Sequence, residues 1–386
     1  MDHLLADRMA KISPFYVMDL LRRAKVLEQQ GCDIIHMEVG EPDFKSPQAV
    51  INAGIEAIQS GKVGYTEAAG LLALREKIAA FYAQQYGVKV DAARIFITPG
   101  ASGALLLAFG ATLNAGDKLL MADPGYPCNR NFMQLFGAQA EEIAVNAASH
   151  YHLNADLIKQ HWQECCKGVL VASPSNPTGT VIRPEVLKQA IAQVAQLRGC
   201  FFSDEIYHGL VYGQSATTAL QFSDEVFVIN SFSKFFGMTG WRIGWLIVPD
   251  VFVGTVEKLA QNIFIATSMP AQHAALAAFE ADNLKELTER TVILAKRRDF
   301  LYDQLIQLGF EVPIKPEGAF YIYANCAKHA KDSFQFAYDL LEAEGVAVTP
   351  GKDFGENAAR QHIRFAYTTS LERIELAMQR LKRFIG

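Results

Sequence analysis

The feature that most constrains the fold is a series of short apolar runs, rich in Val, Ile, Leu and Phe, that alternate with segments of helical periodicity. Runs of this length and composition are typical of buried strands. Strands that alternate with helices predict an α/β fold with a mainly parallel sheet. The predicted strands cover residues 94–98, 118–122, 168–173, 200–205, 226–230 and 242–248.

Several of these predicted strands are followed by side chains that can bind a ligand. Right-handed crossovers bring the carboxyl ends of parallel strands to one edge of the sheet, where ligands bind in open α/β folds. We therefore expect these side chains to converge on one site. They are Ser102, Tyr126, Asn176, Asp204, Tyr207, Ser231, Ser233 and Lys234.

Lys234 is the main candidate for a catalytic residue. It follows strand 226–230 together with Ser231 and Ser233, and Arg242 comes eight residues later. Burial and a nearby cation both disfavour an ammonium group, and a free amine can form a Schiff base with a carbonyl compound. Two hydroxyls and a guanidinium also suit a phosphate. The sequence therefore predicts an aldehyde cofactor that carries a phosphate.

Composition argues against several other classes of protein. The chain has 386 residues, 50% of them hydrophobic and 20% charged, with a net charge of -5, which is typical of globular proteins. No basic cluster suggests nucleic-acid binding, and no apolar stretch suggests a secretory signal or a membrane span. The six cysteines and nine histidines lack metal-ligand spacing. We therefore expect a cytoplasmic protein without a metal, nucleic-acid or membrane partner.

Taken together, these motifs resemble those of the fold-type I pyridoxal-phosphate enzymes, and among them the class I/II aminotransferases of the aspartate, aromatic and alanine type. The resemblance implies an α/β fold in which a large domain has a mainly parallel seven-stranded sheet flanked by helices. A smaller α+β domain would combine both chain ends. The implied boundaries are 1–46 and 282–386 for the small domain and 47–281 for the large, pyridoxal-phosphate-binding domain. The matching positions are 40–44, Tyr65, 100–102, 123–126, 176–179, 204–207, 231–244 and Arg364.

The resemblance also implies catalytic roles around the cofactor, pyridoxal 5'-phosphate. Lys234 would hold it as a Schiff base and would move the proton of the substrate Cα. Asp204 would pair with the protonated pyridine nitrogen, Asn176 and Tyr207 would bind the phenolic oxygen, and Tyr126 would stack on the ring. The phosphate would be bound by Gly100, Ala101, Ser102, Ser231, Ser233 and Arg242, and by Tyr65 from the neighbouring subunit of a homodimer.

For the substrate, the resemblance implies that Arg364 binds the α-carboxylate with help from Gly40 and Asn176. Phe15, Tyr16 and Tyr321 fall where relatives line the side-chain pocket, which implies an apolar or mixed pocket.

The implied reaction moves an amino group from an L-amino acid to a 2-oxo acid, such as 2-oxoglutarate or pyruvate, by a ping-pong mechanism. Met269 stands where many relatives have asparagine, so aspartate, aromatic, alanine and branched-chain donors all stay open. A β-eliminating carbon–sulfur lyase uses the same lysine and aspartate and is the alternative. An α/β binding module that forms no Schiff base is a further alternative.

Overall fold

A seven-stranded sheet is the largest element of the computed structural model, which describes residues 5–386. The α-helices of this part of the chain are α1 (Tyr16–Gln29), α2 (Gln48–Gln59), α3 (Leu72–Tyr86), α4 (Gly100–Thr112), α5 (Pro127–Gln134), α6 (Ala155–His161), α7 (Pro184–Gln196), α8 (Val253–Ile263), α9 (Met269–Ala278), α10 (Ala281–Gln307), α11 (Ser333–Glu344) and α12 (Leu371–Ile385). Its strands are β1 (Ile35–His36), β2 (Ile95–Thr98), β3 (Lys118–Asp123), β4 (Gln139–Ala144), β5 (Cys166–Ala172), β6 (Cys200–Asp204), β7 (Val226–Ser231), β8 (Gly244–Ile247), β9 (Tyr321–Asn325), β10 (Val346–Ala347), β11 (Thr349–Pro350) and β12 (His362–Ala366).

The large sheet confirms the predicted α/β fold. Its strand order is β2-β8-β7-β6-β5-β3-β4, and every neighbouring pair is parallel except the two pairs formed by β8. The edge strand β4 was not among the predicted runs. Its sequence, Gln-Ala-Glu-Glu-Ile-Ala, is largely exposed and polar, because an edge strand is covered by fewer neighbours.

Both faces of this sheet are covered by apolar cores. This explains why its strands other than β4 are continuous apolar runs in the sequence. Side chains alternate between faces along a strand. In β7, Val226 and Val228 join the core on one face, whereas Phe227 and Ile229 join the core on the other. Helix α4 packs against β7 and β8, which places its first turn beside the end of β7.

Two small sheets lie outside the large sheet, and one of them connects the two ends of the chain. Strands β11, β12 and β9 form an antiparallel sheet in which Arg364 lies opposite Tyr323 and Thr349. Strand β1 pairs in parallel with β10. Strand β9 begins two residues after Ala319, whose left-handed φ of 56° interrupts extended backbone.

Helix α10 is 27 residues long. Among the helices between residues 5 and 386, none combines the length and the apolar composition needed to cross a bilayer.

Candidate active site

A cavity of about 240 Å³ lies at the carboxyl edge of the parallel strands β5, β6 and β7. Residues from nine different parts of the sequence line it, several of them at the ends of parallel strands, which meet at the same edge of the sheet. The predicted site residues that the structure brings together around it are Phe15, Gly40, Ala101, Ser102, Tyr126, Asn176, Asp204, Tyr207, Ser231, Ser233, Lys234, Arg242, Tyr321 and Arg364.

Lys234 extends into this cavity from the turn that follows β7. Its Nζ donates to the Gly40 carbonyl oxygen at 2.9 Å and lies 5.9 Å and 5.7 Å from the ring centroids of Tyr207 and Phe320. Burial, followed by the positive charge of Arg364, lowers the pKa of Lys234 to about 8. A substantial fraction of the amine is therefore uncharged near neutral pH, as a nucleophile or a base requires.

Asp204 is the last residue of β6 and its carboxylate is buried. Burial raises its pKa to about 7, although the Ile206 N–H, at 3.3 Å from Oδ1, and the charge of Lys234 act in the opposite direction. Burial of a charged carboxylate costs free energy that one backbone hydrogen bond offsets only in part. The charged form of Asp204 is therefore favourable only beside a cationic group. A protonated ring nitrogen would provide that group.

Tyr207 and Asn176 lie on the same side of the cavity. The Tyr207 hydroxyl is 3.0 Å from the Tyr321 hydroxyl, and the Asn176 side-chain oxygen accepts from Arg364 Nη1 at 2.9 Å. Burial raises the pKa of the Tyr207 hydroxyl well above its usual value, so the hydroxyl stays protonated and can donate to a ligand oxygen.

Arg364 is buried and held rigidly. Its Nη2 donates to the Glu38 carbonyl oxygen and, at 3.2 Å, to the Thr349 hydroxyl, and its guanidinium lies 4.2 Å from the Tyr321 ring centroid. Its buried Nε–H has no hydrogen-bond partner within the described part of the chain. The guanidinium lines the cavity, where it can bind a ligand carboxylate.

An anion cradle lies at the first turn of α4, where backbone N–H groups have no partner within the helix. The Arg242 guanidinium lies so close to this turn that a Cβ on Gly100 would come within 2.6 Å of its Nη2. Ser231 Oγ donates to Ser233 Oγ at 2.9 Å beneath it. Amides, hydroxyls and a guanidinium together fit a phosphate group.

The structure places two predicted residues elsewhere. Tyr16 does not line the cavity: its ring packs edge-on against Phe334, at 5.3 Å, and Lys352 Nζ lies 5.0 Å from its centroid. The prediction for Tyr16 is corrected, because α1 begins at this residue and successive helical side chains diverge, so Val17 turns into the cavity instead. Tyr65 is 81% exposed in the loop after α2, away from the cavity of its own chain.

Sequence reasoning also missed part of the cavity wall. Leu105 lies three residues after Ser102 on α4, so helical spacing would have identified it. Phe132 of α5 carries no such local signal, because only the packing of α5 brings it to the cavity. The other missed residues are Val17, Met18, Glu38, Val39, Glu41, Ala172, Ile206 and Thr239.

Between residues 5 and 386, no group of three or more His, Cys, Asp or Glu side chains is arranged to hold a metal ion. The buried amine, the buried carboxylate and the anion cradle instead match the aldehyde, the ring nitrogen and the phosphate of pyridoxal phosphate.

Comparisons with known proteins agree with this reading of the cavity. The family model for aminotransferase class I and II matches residues 32–381. A valine–pyruvate aminotransferase of Mycobacterium tuberculosis is 37% identical over 98% of this chain and 98% of the relative. A (5-formylfuran-3-yl)methyl phosphate transaminase of Methanocaldococcus jannaschii is 35% identical over 99% of this chain and 100% of the relative. A crystal structure of an aminotransferase from M. tuberculosis superimposes with a TM-score of 0.95 at 36% identity, covering 99% of this chain and 98% of that chain.

Each of these relatives is an aminotransferase, and none supports the carbon–sulfur lyase alternative. The family match extends over most of the chain, and the cavity residues fit the cofactor that this family uses. The chain therefore belongs to the class I and II aminotransferases and is a pyridoxal-phosphate-dependent enzyme that transfers amino groups.

Proposed function

We propose that this enzyme takes the amino group from L-amino acids with an apolar side chain and passes it to pyruvate in preference to 2-oxoglutarate. The observation that carries this proposal is the charge of the cavity wall. Its cationic side chains from the described residues are Lys234, Arg242 and Arg364. These three are needed for the cofactor and for the α-carboxylate, so a second carboxylate in the substrate would lack a partner in this chain.

The rest of the wall supports the same donor class. It is mostly apolar, and its other charged members are Asp204, Glu38 and Glu41. The Glu38 carboxylate is buried and paired with His36 at 2.7 Å, so Glu41 is the acidic side chain that would repel a distal carboxylate. The apolar members are Phe15, Val17, Met18, Val39, Leu105, Phe132 and Ile206. The relative named valine–pyruvate aminotransferase is consistent with such a donor and acceptor.

We infer the following roles for the residues around the substrate. Bound pyridoxal phosphate supplies an aldehyde that takes up the amino group and a ring that withdraws electrons from the Cα. Arg364 binds the α-carboxylate, and Asn176 orients Arg364 through the 2.9 Å hydrogen bond. Lys234, as a free amine, would remove the Cα proton of the donor and deliver it to the carbon that carried the aldehyde, and with the oxo acid it would move a proton in the reverse direction. The Asp204 carboxylate keeps the proton on the ring nitrogen.

A separate set of groups would hold the cofactor without taking part in proton transfer. The Arg242 guanidinium, the Ser231 and Ser233 hydroxyls and the first turn of α4 lie together at one end of the cavity. Phosphate binding there would fix the aldehyde next to Lys234, while Tyr126 would lie against the ring.

We also infer that the functional unit is a homodimer in which Tyr65 of the partner subunit reaches the cofactor phosphate. Tyr65 is exposed in the single chain, and apolar side chains around it are exposed as well. We call this surface the α2 patch; it consists of Ile55, Ile58, Val63 and Tyr65. Exposed apolar surface of this kind is typical of an interface, and a second copy is the occupant that would bring Tyr65 to a phosphate site.

The division into domains at residues 47 and 282 stays a proposal, which the buried cores support. One core combines residues 20–37 with residues 294–381 and a few aromatic and aliphatic side chains after β6. The two cores that cover the large sheet come from residues 50–287. A cytoplasmic location is also proposed, and the six cysteines, all free thiols, are consistent with a reducing compartment.

The donor class is tested by adding single amino acids to the holoenzyme without any oxo acid and recording the visible spectrum of the cofactor. Valine, leucine and alanine should convert the cofactor to its amine form, and aspartate should react at least about tenfold more slowly because its second carboxylate is left unpaired. Faster conversion by aspartate than by every apolar donor would contradict the proposal. Release of pyruvate and ammonia from cystathionine would instead favour the lyase.

The role of Lys234 is tested in the same assay. Lys234→Ala should abolish the conversion with every donor, whereas Lys77→Ala, at an exposed lysine of α3, should leave it unchanged. Turnover retained by Lys234→Ala would exclude the role given to Lys234.

A further inference from the structure

The first turn of α1 is bound by a buried carboxylate from the opposite end of the chain. The backbone N–H groups of Tyr16 and Val17 donate to Asp353 Oδ1 and Oδ2, each at 2.8 Å. The first amides of a helix have no partner within the helix, and a negative charge there also interacts favourably with the helix dipole. Phe15, at the N-cap position, makes no side-chain capping bond. Asp353 therefore caps α1 across a separation of 336 residues.

Asp353 is itself held in place by neighbouring elements. It is only 2% exposed, and its carbonyl oxygen accepts from Arg130 Nη2 at 2.9 Å. Arg130 lies on α5, just after Tyr126, and its Nη1 donates to Glu142 at 2.6 Å. Asp353 also closely follows β11, which pairs with β12, the strand of Arg364. Asp353 thus binds α1 through its carboxylate and α5 through its carbonyl oxygen, and it closely follows the strand that pairs with that of Arg364.

The turn that Asp353 caps forms part of the active-site wall. Phe15, Val17 and Met18 line the cavity, and the Phe15 ring lies edge-on to the Tyr126 ring with centroids 6.2 Å apart. A helix turn whose amides lose their partners is free to shift. A displacement of about 1 Å is enough to affect the positioning of a bound substrate.

We propose that Asp353 is a positioning residue that holds the first turn of α1 against the cavity and thereby sets the wall that meets the side chain of the amino-acid donor. This role rests on the proposed function for the donor class, because only an apolar donor side chain would gain from contact with Phe15, Val17 and Met18. The anchoring of α1 by Asp353 does not depend on it. Lys234 and Asp204 make no contact with Asp353 and keep their positions when α1 shifts.

The test uses Asp353→Asn holoenzyme and a donor series of alanine, valine and leucine. Asparagine keeps the shape of aspartate, but its NH₂ group cannot accept from the second N–H. We expect kcat/KM for leucine to fall about tenfold, mainly through KM, and that for alanine to change less than about threefold. Equal losses for all three donors, or no loss for any, would overturn the proposal.

The matched control is Asp91→Asn. The Asp91 carboxylate accepts from the Ala93 N–H at the start of a short 3-10 helix, is exposed and does not line the cavity. The Asp91→Asn variant therefore loses one negative charge at a helix start, as Asp353→Asn does. Its kcat/KM values for alanine, valine and leucine should equal those of the wild type. A control that shows the same leucine-selective loss would also overturn the proposal.

Hydrogen exchange of the holoenzyme separates the anchor from the donor class. In the wild type, the amides of Tyr16 and Val17 should be protected, and in Asp353→Asn they should exchange at least about tenfold faster. Unchanged protection would overturn the anchoring role whatever the donor profile. If the wild type converts no apolar donor, the proposed function is wrong. Faster exchange of the Tyr16 and Val17 amides in Asp353→Asn would still establish that Asp353 anchors α1.

If Asp353→Asn does not fold, Arg130→Gln provides a second variant. It removes the hydrogen bond to the Asp353 carbonyl oxygen but leaves the carboxylate in place. The loss of kcat/KM for leucine and the faster exchange of the Tyr16 and Val17 amides should therefore both appear, but should be smaller than in Asp353→Asn. Glu142→Gln is its control, because it removes the other partner of Arg130 without touching Asp353. Wild-type exchange and a wild-type donor profile in Arg130→Gln would contradict the anchor.

Discussion

At the scale of single residues, the reactivity of Lys234 depends on charges that come from distant parts of the chain. Burial is the largest cause of its lowered pKa, and Arg364 and Arg242 add to it, whereas Glu41 and Asp204 act in the opposite direction. A lysine on the protein surface would have a pKa near 10.5 and would be almost entirely charged at neutral pH. The site therefore makes the amine available by balancing desolvation against nearby ions.

The first prediction concerns the pH dependence of cofactor capture. Only the uncharged amine reacts with an aldehyde, and a lowered pKa means that Lys234 loses its proton at lower pH. The rate at which cofactor-free enzyme takes up pyridoxal phosphate should therefore rise with pH and reach half its maximum near pH 8. Stopped-flow absorbance in the visible range measures this rate, and a midpoint above pH 10 would contradict the prediction.

The second prediction uses Arg364, the second-largest cause of the lowered pKa. Arg364→Gln removes a positive charge from the vicinity of Lys234, so its ammonium form becomes more stable and the midpoint of cofactor capture should move to higher pH. The same variant should raise KM for every donor by about tenfold or more, because the α-carboxylate loses its charged partner. Arg360→Gln is the control, because Arg360 is exposed and does not line the cavity. An equal shift in both variants would exclude a specific effect of Arg364.

At the scale of elements, the phosphate cradle depends on how closely α4 approaches Arg242. Gly100 begins α4 with a φ of +69°, and the Arg242 guanidinium occupies the space that a side chain would need. Arg242 also has a left-handed φ, of 53°, and donates from Nη1 to the Thr239 carbonyl oxygen at 3.1 Å. The geometry of the cradle is thus set by the backbone as much as by the side chains.

The third prediction follows from this close approach. In Gly100→Ala, a left-handed residue costs about 1–2 kcal/mol of folding free energy and the new Cβ displaces Arg242. We expect the dissociation constant for pyridoxal phosphate to increase about tenfold, since a charge-assisted contact to the phosphate is weakened.

Gly254→Ala on α8 is the matched control for this substitution. Its φ is ordinary and a Cβ would meet nothing within 4 Å, so cofactor affinity should stay at the wild-type value. Thermal unfolding and cofactor titration measure both effects. A wild-type cofactor affinity in Gly100→Ala would show that the cradle does not need this approach.

At the scale of the whole molecule, the fourth prediction concerns the α2 patch. Ile58→Lys introduces a charge into the proposed interface and should convert the dimer to a monomer that retains pyridoxal phosphate poorly, because it lacks Tyr65 of the partner subunit. Val251→Lys adds the same charge at an exposed position outside the α2 patch and should stay dimeric. Light scattering and cofactor retention on gel filtration distinguish them. A dimeric Ile58→Lys variant with bound cofactor would contradict the proposed interface.

The sequence predicted much of this molecule correctly, and its errors have local physical causes. The apolar runs of β2, β3, β5, β6, β7 and β8 identified most strands of the large sheet, because these strands are buried on both faces. The exposed edge strand β4 carries no such signal. The first turn of α1 was assigned to the correct region, but the direction of each side chain in that turn depends on where the helix begins. Tyr16 was therefore predicted where Val17 is found.

By itself, the sequence determined the α/β class, the cofactor and the residues at the strand ends, because strand length, periodicity and motif spacing depend on residues adjacent in the chain. Only the tertiary structure decided the pKa of Lys234, the partner of each Arg364 nitrogen and the capping of α1 by Asp353. Each of these depends on burial or on a contact between residues far apart in sequence. Local patterns carry no information about such distances, which are set when the two ends of the chain pack against the large sheet.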